Sequence, residues 1–135
     1  MHETLYEAER YFVHTFIRKE RRDRLWFELS HPKKRYRGLS RFCHQSTVLL
    51  SRDKISLSGK DLIRQERFQE FVRKNTGPCR ILSPDAGLDG QVCSVSDAVA
   101  LCVICPDASV IVGSHFAIVN SEPGQEGTER FLLVE

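Results

Sequence analysis

Near residue 80 two properties of this chain change together. Apolar side chains stop recurring at helical spacing and begin to arrive in short continuous runs, and the excess of basic over acidic residues reverses. A period that switches once along the chain leaves few architectures open: helices first, then strands, with the helices covering the sheet. The charge reversal is large. Residues 1–80 hold 19 Lys and Arg against 10 Asp and Glu, a net +9, whereas residues 81–135 hold Arg130 against 8 acidic residues, a net −7. The near-neutral total of +2 conceals both halves. Such a split either sets up a strong dipole with a basic surface or is neutralised where the halves pack together.

In the basic half, Leu5, Ala8, Phe12 and Phe16 recur at helical spacing, with Tyr11, Val13 and Ile17 beside them. This predicts an amphipathic helix with a wide apolar face. No Gly or Pro interrupts the chain before Pro32, so one helix, or two with a bend in the charged run RKERRDR, reaches Ser30. Pro32 disfavours helix at His31 and ends the segment. The stretch TVLLSRDKISLSG is ambiguous between a helical turn and a strand. Ser58-Gly-Lys-Asp61 has the form of a capping box, which predicts a helix from about Lys60 to Asn75 burying Leu62, Phe68, Phe71 and Val72. Asn75-Thr-Gly-Pro78 is its stop, combining a left-handed cap with a breaker.

The acidic half reads as strands. Cys79–Ser83, Gln91–Val95 and Glu129–Val134 are β-like, and Ala98–Cys105 and Ser109–Ser121 flank Pro106-Asp-Ala108 as the arms of a hairpin. A helical start over Ser96–Leu101 is the rival assignment for the first arm. SPDAG at Ser83–Gly87 resembles CPDAS at Cys105–Ser109, and both are turn sequences. Residues 122–127 read as a second loop. The expected fold is α+β: three or four N-terminal helices packed on a C-terminal antiparallel sheet of three to five strands. At 135 residues the chain fits one domain, mainly helical and basic over 1–78 and mainly β and acidic over 79–135.

The longest apolar run, Ala98–Cys105, is too short to span a bilayer, and the charged N-terminus MHETLYEAER has no apolar signal region. Five cysteines, an odd number, argue for reduced thiols and a cytoplasmic protein.

Motifs that name a reaction are missing from the sequence, and nothing in it calls for a cofactor. Cys102-Val-Ile-Cys105 has C-x-x-C spacing but no second ligand pair, so it reads as core cysteine. Cys43-His44 looks like a nucleophile and base, yet neighbours on a helix point about 100° apart and do not meet. A small enzyme would need His44, His115 or Cys43 brought together between helices and sheet.

The densest chemistry is the stretch His31–Gln45. Lys33, Lys34, Arg35, Arg37 and Arg41 accompany His44, with Tyr36 and Phe42 interleaved. Helical projection places Tyr36, Leu39, Phe42 and Cys43 on an apolar side and Arg37, Arg41 and His44, at i, i+4 and i+7, on the opposite side as a basic ridge. This assigns the aromatics to the core and weakens a reading as a base-stacking nucleic-acid surface. The leading expectation is a non-enzymatic binding or adaptor protein whose basic helical surface takes an acidic protein partner or a second copy of the chain. Nucleic-acid binding is the alternative, and membrane association is not expected.

Overall fold

In this computed structural model, residues 4–122 and 128–135 are described. The expected loop at 122–127 therefore falls, apart from Glu122, outside them. The first amphipathic segment forms α1 (Leu5–Phe16), opened by Thr4, whose hydroxyl accepts from the Glu7 amide at 3.0 Å. It stops because Ile17 turns extended and bridges Leu50, with the Arg18 amide donating to the Leu49 carbonyl at 2.8 Å. The bend in RKERRDR is a 3-10 turn at Lys19–Arg21, followed by α2 (Arg22–Ser30), which ends before Pro32. Then come α3 (Arg35–Ser40), a 3-10 turn at Arg41–Cys43 and α4 (Ser46–Leu49).

The ambiguous stretch proves to be both of its options: its start is α4, and its end is β1 (Ile55–Gly59). The capping box expected at Ser58–Asp61 caps no α-helix. Ser58 lies in β1 and Gly59 turns the chain at φ +135°, a left-handed value that suits glycine. The helix expected over 60–75 is split into a 3-10 turn at Leu62–Arg64 and α5 (Glu66–Lys74), separated by extended Gln65. Asn75 ends α5 without a left-handed backbone, its side-chain amide donating instead to the Phe71 carbonyl at 2.8 Å.

The strands β2 (Pro78–Leu82), β3 (Val92–Ser94), β4 (Ser109–Val112), β5 (Phe116–Asn120) and β6 (Arg130–Val134) follow, interrupted by α6 (Val95–Val103). The first arm of the expected hairpin is therefore helix. Ser94 caps it, accepting from the Asp97 amide at 3.1 Å, and Ala98 and Cys102 face the sheet one turn apart. The second arm divides at Gly113-Ser-His115 into the β4–β5 hairpin, so His115 sits in a turn and not mid-strand.

All pairings are antiparallel, in the order β1-β6-β5-β4-β2-β3. Among the described residues, six strands slightly exceed the three to five expected, because β1 comes from the basic half and pairs with the last strand. The α+β class holds. Near-continuous apolar strands are explained by two covered faces. Val110, Val112, Ala117, Val119, Phe131 and Leu133 pack under α1–α4, where Phe12, Phe16, Leu25, Leu39 and Phe42 are buried. Ile111, Phe116, Ile118 and Leu132 point the other way, toward Phe68 of α5 and Val95, Ala98 and Cys102 of α6. The helices thus flank the sheet on both sides. Among the described residues, no helix is long and apolar enough to cross a membrane.

Candidate functional site

The basic stretch occupies the outer edge of the helical layer, and its position follows from one close contact. Gly38 is buried against α2, where an added Cβ would stand 3.0 Å from Glu28 Cβ and 3.3 Å from Leu29 Cδ2. The buried face of this segment is therefore centred on Gly38, Leu39 and Phe42. At about 100° per residue, Tyr36 falls outside that arc. The residue is 68% exposed, which corrects its projected place in the core. Leu39 and Phe42 are buried as projected. The Cys43 side chain lies outside the described ones.

The cations of the stretch divide into two groups. Arg35 is a clasp. Its guanidinium donates twice to the Asp89 carboxylate, Nε to Oδ2 and NH2 to Oδ1, both at 2.8 Å, and also to Glu9 of α1. Burial pushes the Glu9 carboxyl above its ordinary range, and the Arg35 charge opposes that rise. Arg41 likewise holds Glu28 through two bonds, 2.6 Å from Nε and 3.0 Å from its terminal nitrogen. Those bonds keep the Glu28 carboxyl below its ordinary value, with Arg24 and Arg37 adding to the effect. Glu9 and Glu28 are both almost wholly buried, so these two pairs tie helices together.

Lys33, Lys34, Arg37 and His44 remain exposed. Lys34 places Nζ 5.5 Å from the ring centroid of Phe27, which is itself 47% exposed and stacks on His31 at 4.2 Å. Arg37, Ser40, Arg41, His44 and Gln45 line a shallow open notch where α3 passes into its 3-10 turn. The three members of the projected ridge are thus brought to one place. Glu28 occupies part of the Arg41 guanidinium and Glu122 approaches His44 Nε2 at 3.5 Å, whereas Arg37 is an exposed cation with no ion-pair partner among the described residues.

His44 and His115 do not come together between the layers. His44 and His115 have side chains more than 80% exposed and meet different carboxylates, Glu122 and Glu135. Cys79 and Cys102 are buried thiols, pushed up to about 12 and about 11 by desolvation.

Sequence reading missed one cluster. The two Pro-Asp-Ala turns meet at one end of the paired strands β2 and β4, bringing ligand atoms of Asp85, Cys105 and Asp107 within 4.8 Å of one another. The resemblance between SPDAG and CPDAS was the available signal. The Cys105 thiol donates to Asp85 Oδ2 at 3.7 Å, and Asp85 Oδ1 accepts from the Gly87 amide at 2.7 Å, so the turn chemistry accounts for the arrangement. No known protein family, curated protein or solved structure matches this chain.

Proposed function

We propose that this chain is a non-enzymatic, cytoplasmic binding protein that holds an acidic partner on the exposed basic face of α3. The observation that carries the reading is the convergence of Arg37, Arg41 and His44 on one open notch. Arg37 offers a free planar fork, Ser40 and Gln45 add neutral hydrogen-bonding groups, and Lys33 and Lys34 extend the positive surface at the start of α3. Arg41 also lines the notch, and its two bonds to Glu28 hold it in one orientation. A second copy presenting its acidic half is one form that such a partner takes.

The test is calorimetric titration with poly-L-glutamate and with inorganic polyphosphate at two salt concentrations, alongside solution mass. Saturable binding that weakens with salt is expected, reduced at least tenfold by Arg37→Glu. Equal binding by the wild type and Arg37→Glu, together with a monomeric mass, would sink the proposal. Arg37 is the residue to change because it is exposed, whereas replacing Arg41 would strand the buried Glu28.

A further inference from the structure

Tyr36, mostly exposed, directly precedes Arg37 of the basic notch in α3. Its neighbour one turn along α3 is Ser40, which lines the notch together with Arg37 and Arg41. Positions i and i+4 place Cβ atoms roughly 5–6 Å apart, comparable to the span from a nucleotide's phosphate to its base. Ahead of Tyr36 the chain supplies Lys33 and Lys34, both exposed, and Lys34 is held over the exposed Phe27 ring. Along the chain, exposed cations therefore both precede and follow the exposed tyrosine.

We propose that this face binds single-stranded nucleic acid, with a phosphate in the Arg37–Arg41–His44 notch and the adjoining base stacked on Tyr36. The inference rests on the reading of the notch as an anion site and names its partner class. An acidic protein surface needs the cations but makes no specific use of an exposed tyrosine between them. A strand uses both, since every base has a face to stack and every linkage a charge to neutralise. The neutral hydrogen-bonding groups Ser40 and Gln45 suit phosphate oxygens, and the exposed Lys33 and Lys34 offer charges to neighbouring linkages. A duplex is a poorer fit, because its bases are already stacked on one another and a shallow notch reaches no groove.

The experiment is fluorescence anisotropy with a labelled oligo-uridine about twelve nucleotides long, using the full chain and the variants Tyr36→Ala, Tyr36→Phe and Arg37→Gln. Inorganic polyphosphate serves as a polyanion without bases, and uridine monophosphate as a base without a strand. Tyr36→Ala should weaken oligonucleotide binding on the order of tenfold, Tyr36→Phe should restore it, and neither should change the competition by polyphosphate. Arg37→Gln should weaken both ligands. Neutralising Lys33 or Lys34 should lower the slope of log affinity against log salt by about 0.7 each.

Oligonucleotide binding that ignores Tyr36 but depends on Arg37 would overturn the stacking inference and leave the anion notch standing. Binding of neither polyanion through Arg37 would remove both readings. Uridine monophosphate binding as tightly as the strand would overturn the assignment to a strand, and tighter, Tyr36-independent binding of poly-L-glutamate would assign the face to a protein.

Discussion

Arg35 and Arg41 differ from the other cations of their stretch in what lies opposite them. Each faces a carboxylate that is nearly removed from water, and an ion so placed is tolerated only while its partner stays. Arg35→Met should therefore lower unfolding stability by about 3–5 kcal/mol in urea titration, and a further Glu9→Leu change should recover part of the loss. The two carboxylates also make opposite demands on pH. Glu28 is held below its ordinary value of 4.5, chiefly by the bonds from Arg41. Its contribution is present above the unfolded value and lost as pH falls through the folded one. Glu9 is raised above 4.5 by burial, so its contribution is present below the unfolded value and lost as pH rises through the folded one. Urea midpoints measured from about pH 6 to about pH 3 should fall less steeply in Glu28→Gln than in the wild type. Across the same range, the stability of Glu9→Gln relative to wild type should grow with rising pH. Thiol chemistry gives a separate check on burial. Cys79, whose Sγ donates to the Cys93 carbonyl at 3.3 Å, and Cys102 should resist iodoacetamide in the native state and label only on unfolding, read site by site by peptide mass.

At the scale of elements, two glycines set close approaches on which the architecture depends. A Cβ at Gly113 would lie 2.2 Å from Phe116 Cε1 within the β4–β5 hairpin, and Phe116 is buried between the sheet and α5, with Phe71 edge-on at 4.9 Å. Gly113→Ala should thus destabilise by about 1–3 kcal/mol through displacement of that ring. Gly38→Ala would press on the Cβ of Glu28 and separate α3 from α2. It should both lower the unfolding midpoint and weaken polyanion binding, whereas Gly113→Ala, in a different element from the notch, should leave binding intact. The helix α6 illustrates how an apolar run misleads. ALCVIC suits either a central strand or a buried helix by composition, and the deciding local signal is Ser94-Val-Ser-Asp97, the same S-x-x-D pattern that was read at Ser58–Asp61. The cap forms at Ser94 because β3 ends there and the chain must cross the sheet to reach β4. At Ser58 the same four-residue pattern is overridden by pairing of β1 with β6.

For the whole molecule, the charge split does not map onto the two faces of the sheet. α1–α4 cover one face, but α5, also from the basic half, covers the other beside α6 from the acidic half. The halves are joined through the sheet by β1 against β6 and through charge by Arg35 against Asp89. Raising salt should consequently reduce polyanion binding far more than it reduces the urea midpoint, since the clasps are largely withdrawn from water whereas Arg37, Lys33 and Lys34 are exposed. Equal sensitivity of both would place the stabilising charges at the surface. The sequence alone determined the mainly helical start, the mainly β end and the stop before Pro32, which follow from local period and pre-proline sterics, and the burial of Leu39 and Phe42 and the grouping of Arg37, Arg41 and His44, which follow from phase about a local helix axis. It could not determine that Tyr36 faces water, that Arg35 and Arg41 are clasps, or that β1 closes against β6. Those depend on which element lies opposite, and only tertiary packing brings residues 28 and 38, or 35 and 89, into contact.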